Sequence, residues 1–182
     1  MKTKKIIFTA LFAALTCVAT MIIKLPTPTM GYIHPGDAIV LLSGLLLGPW
    51  YGGFAAGLGS MFADLFSGYL SYAPATFIIK FLTAVIAWAL AKPLRKVLGK
   101  VPSVIIAGTA GEAFMVIGYF LFEIFLLAFA TGAGFSASSL TAGITSSASG
   151  IPFNIVQGIF GVIIATILYP ILERIFKSME EK

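Results

Sequence analysis

The sequence predicts an all-α integral membrane protein, a single domain over 1–182 built as a bundle of six transmembrane helices with both termini cytoplasmic. Three observations predict it. Hydrophobic residues make up 59% of the 182 residues and charged ones 10%, against roughly 25% charged in a soluble domain, and the mean hydropathy is +1.02. The apolar residues gather in runs of membrane-spanning length. The basic residues gather beside those runs in three clusters: Lys2, Lys4 and Lys5; Lys92, Arg95, Lys96 and Lys100; Arg174, Lys177 and Lys182. Under the positive-inside rule every Lys and Arg but Lys24 and Lys80 then falls on one side, which sets the orientation. The same clustering accounts for the net charge of +5 without nucleic acid. The lone cysteine, Cys17, lies in an apolar run, so neither a disulfide framework nor a cysteine metal site is expected, and with a single His no zinc cluster is either.

The first helix is expected over 6–23. Its length exceeds the roughly 7–15 residues of a signal-peptide core, and no small-residue cleavage site with a polar mature domain follows, so it reads as a retained span. Ala10, Ala13 and Ala14 give it a strip of small residues that lets another helix approach, inside the bundle or outside it. Residues 24–35, with their three prolines and a glycine, read as a stiff outer loop. The second helix starts at Gly36-Asp37 and runs to about 47. Asp37 suits a helix N-terminus, where a carboxylate caps backbone N–H groups. At ~1.5 Å per residue the helix reaches only ~18 Å, so it crosses tilted or begins beneath the loop. Gly48-Pro49-Trp50-Tyr51-Gly52-Gly53 reads as a tight inner turn with interfacial aromatics.

The third helix follows over 51–66, with Gly53, Gly57 and the Gly44/Gly48 pair as close-packing seams and Asp64 near its outer end. Residues 67–72 form a tyrosine-bearing outer loop with Tyr69 and Tyr72, and the fourth helix runs over 74–91 with Pro74 in its tolerant first turn. Residues 92–100 form the basic inner loop. The fifth helix covers 103–130 and places Glu112, Tyr119 and Glu123 on one face. A Gly/Ser/Thr/Ala-rich outer loop spans 131–149, and the sixth helix covers 150–176. No internal repeat is apparent.

Ionisable groups inside a span are costly, and they are usually paired or functional. Asp64 lies near an outer helix end, Lys80 ~10 Å down the fourth helix and Glu123 ~12 Å down the fifth. Asn154 and Gln157 share a face one to two turns down the sixth. Polar groups from four helices thus reach one depth, beneath Tyr32, His34, Tyr69 and Tyr72. Apolar walls with a few converging polar groups and aromatic lids make a small-molecule pocket. An Asp64–Lys80 or Lys80–Glu123 ion pair and plain interhelical hydrogen bonds from Asn154 and Gln157 are the structural alternatives. Glu112 is deeper and reads as a structural pair or a partner-facing position. No G-x-S-x-G and no Walker A sequence occurs, so neither a serine hydrolase nor ATP hydrolysis by this chain is expected.

The block GYIHPGDAIVLLSGLLLGPWYGGFAAGLGSMFADL followed by GYLSYAPATFIIK resembles the substrate-binding membrane subunits (S components) of energy-coupling factor (ECF) vitamin transporters. The resemblance is to the riboflavin, hydroxymethylpyrimidine and pyridoxine type. It implies a subunit of a multi-pass importer of the bacterial cytoplasmic membrane, not an enzyme. Such a subunit binds a vitamin or precursor from outside, with vitamin B6 or hydroxymethylpyrimidine favoured and riboflavin or pantothenate as alternatives. It then docks on a transmembrane coupling protein carrying two ATP-binding subunits; these hydrolyse the ATP, so the chain itself needs no cofactor or metal. Docking is expected to topple the bundle and open the pocket inward. A self-sufficient small-molecule transporter is the rival reading. Ala10-x-x-x-Ala14 matches the motif that faces the coupling protein. The pocket residues carried by position are Tyr32, His34, Asp37, Asp64, Tyr69, Tyr72, Lys80, Tyr119, Glu123, Asn154 and Gln157. The glycine/serine-rich 131–149 loop departs from the family pattern in offering few anchoring side chains.

Overall fold

A computed structural model describes residues 2–29, 31–130 and 136–180. The chain runs through α1 (Lys2–Ile22), a hairpin of β1 (Leu25–Pro26) and β2 (Tyr32–Ile33), α2 (Asp37–Leu47), α3 (Pro49–Phe66), α4 (Ala73–Leu98), α5 (Lys100–Ala130), α6 (Ala137–Ala148) and α7 (Ile151–Glu180). Each of the six expected helices has its counterpart in α1 to α5 and α7. Among the described residues four stretches are long and apolar enough to cross a membrane: Thr3–Ile22, Ala73–Leu98, Lys100–Phe129 and Ile151–Ser178.

The bundle is organised around its shortest apolar helix. α2 packs against α1, α3, α4 and α7, and Val40, Leu41 and Leu42 are each 0% exposed. Three consecutive buried residues point in three directions around a helix, so α2 is enclosed on all sides. Small residues permit this. A Cβ at Gly44 would stand 2.3 Å from the Ala84 carbonyl oxygen, and one at Gly52 would stand 2.2 Å from that of Ser43. Gly48 makes the turn into α3 with φ of 86°, a left-handed conformation that glycine alone adopts without strain, and Pro49 occupies the first turn of α3.

The outer surface is the inverse of a soluble protein's. Ile7, Leu11, Phe54, Ile78, Ile117, Phe125, Ile159 and Ile167 lie exposed, while Thr16, Asp37, Ser43, Lys80, Thr83, Glu112 and Gln157 are buried. α7 shows the pattern most plainly: Asn154, Gln157, Gly158, Gly161, Ala165 and Tyr169 form its buried stripe at helical spacing.

Two expected loops are largely helical. α4 continues through Pro93 to Leu98, and only Gly99, at φ of 81°, breaks the chain before α5 starts at Lys100. The expected loop over 131–149 contains α6. Its start is fixed by a capping box in which Ser136 and Ser139 exchange backbone-to-hydroxyl hydrogen bonds, and Gly143 lets it lie against the Ile124 carbonyl of α5. Residues 131–135 of that expected loop lie outside the described residues.

Candidate functional site

The hairpin between α1 and α2 closes one end of the bundle. Leu25 faces Ile33 and Pro26 faces Tyr32 in its antiparallel register, and Thr27 N–H donates to the Gly31 carbonyl at 2.9 Å. Side chains fasten it to four helices or their ends. The Tyr32 hydroxyl donates to Asp64 Oδ1 of α3 at 2.7 Å. The Tyr72 hydroxyl, at the start of α4, donates to the Thr29 carbonyl at 2.7 Å. The Thr29 hydroxyl donates to Glu123 Oε1 of α5 at 2.8 Å. The His34 N–H donates to Gln157 Oε1 of α7 at 2.9 Å.

Beneath the hairpin lies a small cavity of about 30 Å³, lined by Thr27, Gly31, Tyr32, His34, Asp64, Tyr69, Tyr72, Thr76, Tyr119, Glu123, Asn154 and Gln157. Its aromatic side is continuous: the Tyr32 and Tyr69 rings are 4.6 Å apart, Tyr32 and His34 5.5 Å, and Tyr69 meets Tyr72 edge-on at 6.3 Å. Tyr119 donates to the Thr76 hydroxyl at 3.1 Å. Two carboxylate oxygens in this lining, Asp64 Oδ2 and Glu123 Oε2, are buried and receive no hydrogen bond from the described residues. A buried acceptor left empty costs about 1–3 kcal/mol, more when charged. These two are the site's unspent hydrogen-bonding capacity.

His34 Nδ1 accepts from the Gly36 N–H at 3.1 Å, which fixes the neutral tautomer with its proton on Nε2. Burial pushes the His34 pKa down to about 3, with Asp37 opposing the shift and Lys80 adding to it, so the ring carries no charge near neutral pH. Burial, together with the charge and the hydrogen bond of Asp64, moves the Tyr32 phenol upward. It too stays neutral and acts as a donor.

The structure thus brings nine of the sequence-predicted residues to one cavity: Tyr32, His34, Asp64, Tyr69, Tyr72, Tyr119, Glu123, Asn154 and Gln157. It sets Asp37 and Lys80 apart from the cavity lining. Lys80 Nζ donates to Asp37 Oδ1 at 2.5 Å with both side chains 0% exposed, and Gln157 Nε2 donates to Asp37 Oδ2 at 2.7 Å. The lysine's partner is therefore Asp37, in place of the Asp64 or Glu123 weighed from sequence. Asp37 opens α2 without capping it, since the end of the helix carries no side-chain cap bond. Lys80 also stands 5.2 Å from the centre of the Tyr119 ring. Thr27, Gly31 and Thr76 were not anticipated. Thr76 lies one turn before Lys80 on the same helix face, a spacing that would have found it; Thr27 and Gly31 sit in a loop, where no periodicity points anywhere.

Ala10 and Ala14 are exposed on α1, whereas Ala13 is half-buried and its backbone carbonyl packs on Gly59 of α3. At the opposite end of the bundle Glu173 of α7 gathers Arg95, Lys100 at 2.6 Å and Lys177 at 3.6 Å. Among the described residues no group of three or more His, Cys, Asp or Glu is placed to hold a metal ion.

Known proteins resemble the chain over nearly its whole length. A family model described as "ECF-type riboflavin transporter, S component" matches residues 1–174. A protein of Pyrococcus woesei described as "Uncharacterized protein in gap 3'region" is 35% identical over 158 residues, covering 86% of this chain and 98% of that one. A solved structure, "Structure and mechanism of the S component of a bacterial ECF transporter", aligns over 97% of this chain and 99% of its own with a TM-score of 0.65 at 24% identity, a likeness that shows the fold. With four apolar helices of spanning length and a family match over residues 1–174, the chain is a multi-pass membrane protein that belongs to the ECF-type riboflavin transporter S-component family, the substrate-binding subunits of these importers.

Proposed function

We propose that the chain captures a small water-soluble vitamin or vitamin precursor at the outer face of the bacterial cytoplasmic membrane. It then delivers its load by docking on a transmembrane coupling protein that carries two ATP-binding subunits. The chain crosses the membrane six times with both termini inside, in keeping with its basic clusters. ATP is hydrolysed by the partners, and the chain itself carries out no chemistry and holds no cofactor.

The observation that carries this reading is the pair of unsatisfied oxygens, Asp64 Oδ2 and Glu123 Oε2, in a cavity walled by tyrosines. Empty carboxyl acceptors ask for hydroxyl or N–H donors, and tyrosine faces ask for a flat ring. A hydroxymethylated or amino-substituted heteroaromatic ring carries both, which favours vitamin B6 or hydroxymethylpyrimidine. The small volume supports a compact ligand, since a larger one requires more of the hairpin to move aside. Riboflavin is the second reading, favoured by the family description.

Titration calorimetry of the purified protein with pyridoxine, hydroxymethylpyrimidine and riboflavin separates these substrates, and native mass spectrometry identifies any vitamin carried through purification. Asp64→Asn and Glu123→Gln should each weaken binding roughly 10- to 100-fold, the range set by leaving a buried hydrogen-bonding group unpaired. Unchanged affinity in both folded variants would reject this cavity as the binding site.

A further inference from the structure

Glu112 stands outside the cavity. It lies midway along α5, about 18 Å from the start of that helix at 1.5 Å per residue. It is 4% exposed, and neither of its carboxyl oxygens receives a hydrogen bond from the described residues. Its stem lies on Gly158 of α7, where a Cβ would come within 2.9 Å of it. One helical turn further along α7, Gly161 lies equally close to Asp37. Glu112 and Asp37 thus pack about one turn apart along the same face of α7, and both Asp37 oxygens already accept, from Lys80 and from Gln157.

The charges here can be counted. α2 contributes Asp37, α4 contributes Lys80, and α7 contributes the neutral Gln157. α5 itself adds the Tyr119 phenol, the hairpin adds the neutral His34, and α6 carries no titratable side chain. Two carboxyl groups therefore face a single ammonium group. If both were ionised, one negative charge would stand uncompensated at mid-membrane, at a cost of several kcal/mol. Two carboxylates cannot hydrogen-bond to each other, whereas a carboxylic acid and a carboxylate can, sharing one proton. On its other side Glu112 lines an apolar groove of about 310 Å³ between α5 and α7, walled by Val116, Ile155, Ile159 and Ile163. Ile155, Ile159 and Ile163 are exposed on the lipid-facing surface.

We propose that Glu112 is a proton-binding site: its carboxyl stays un-ionised near neutral pH, donates its proton to Asp37 in a hydrogen bond, and is reached from the lipid through the α5–α7 groove. The Lys80–Asp37–Glu112 group is then electrically neutral as a whole. This site is independent of which vitamin the cavity takes.

Infrared spectroscopy of the protein in lipid nanodiscs tests it. The carbonyl band of an un-ionised carboxyl should be present near neutral pH and lost in Glu112→Gln, whose amide keeps a donor for Asp37. A spectrum that Glu112→Gln leaves unchanged overturns the proposal. Wild-type protein gives an independent reading, whether or not the variant folds. Dicyclohexylcarbodiimide is lipid-soluble and attacks un-ionised carboxyls, so it should modify Glu112 in membranes, as read by peptide mass spectrometry. A water-soluble carbodiimide should leave Glu112 untouched. Glu112 that stays unmodified under excess lipid-soluble reagent, or that the water-soluble reagent modifies equally well, overturns the proposal.

Discussion

Lys80 and Asp37 face each other at 2.5 Å with no solvent at either side chain, so each is the condition for burying the other. Removing one partner of a buried pair leaves the other charge stranded, at about 3–5 kcal/mol. Lys80→Ala should therefore lower the melting temperature in detergent sharply, and Lys80→Met combined with Asp37→Leu should recover most of the loss. If Lys80→Ala leaves stability unchanged and weakens vitamin binding alone, Lys80 is a ligand contact. Most of the cavity lining was legible in the sequence because residue spacing along a helix converts directly into height. The Lys80–Asp37 pair was not legible, because Asp37 also suits a helix cap and the spacing leaves open whether α2 crosses tilted or begins beneath the loop. In fact the hairpin folds over the start of α2 and lowers Asp37 to the level of Lys80. Depth along one helix says nothing about how far a neighbouring helix is recessed.

The helices themselves were largely legible. Apolar runs, prolines in first turns and the Gly48-Pro49 break mark α1 to α5 and α7 to within a few residues. The tails were not. α4 and α5 extend through the basic stretch because Lys, Arg and Leu are strong helix formers and Gly99 alone supplies the turn. α6 was hidden because Ser, Thr, Gly and Ala read as loop, while its capping box and its small-residue contact with α5 are properties of the folded neighbourhood. The small-residue seams have sharper consequences than composition suggests. Gly44→Val would drive a side chain into the Ala84 carbonyl, which stands 2.3 Å from a Cβ there. Overpacking of this kind costs typically about 1–3 kcal/mol. Thermal unfolding should show that loss, whereas the same substitution at Gly68, which has open space but a φ of 85°, should cost only its backbone strain.

At the scale of the whole molecule two surfaces matter. Most of the outside is branched and aromatic side chain suited to lipid, and Ala10 and Ala14 interrupt it on α1 with a shallow exposed strip. We expect Ala14→Trp, and likewise Ala10→Trp, to abolish ATP-driven uptake in vesicles reconstituted with the partner subunits while leaving vitamin affinity unchanged. Lost affinity would mean that the strip supports the bundle internally, and uptake by this chain alone would mean that it needs no partners. The enclosed position of α2 bears on how the protein is made. With 11 residues and an aspartate at its head, α2 cannot lodge stably in a bilayer alone. It enters joined to α3 across the Gly48-Pro49 turn, with Asp37 still lacking its lysine, which lies 43 residues further along the chain. At about 5–20 residues per second of synthesis, the helix at the centre of the finished bundle waits seconds for Lys80 of α4 to emerge, and longer for Gln157 of α7, the other partner of Asp37, 120 residues away.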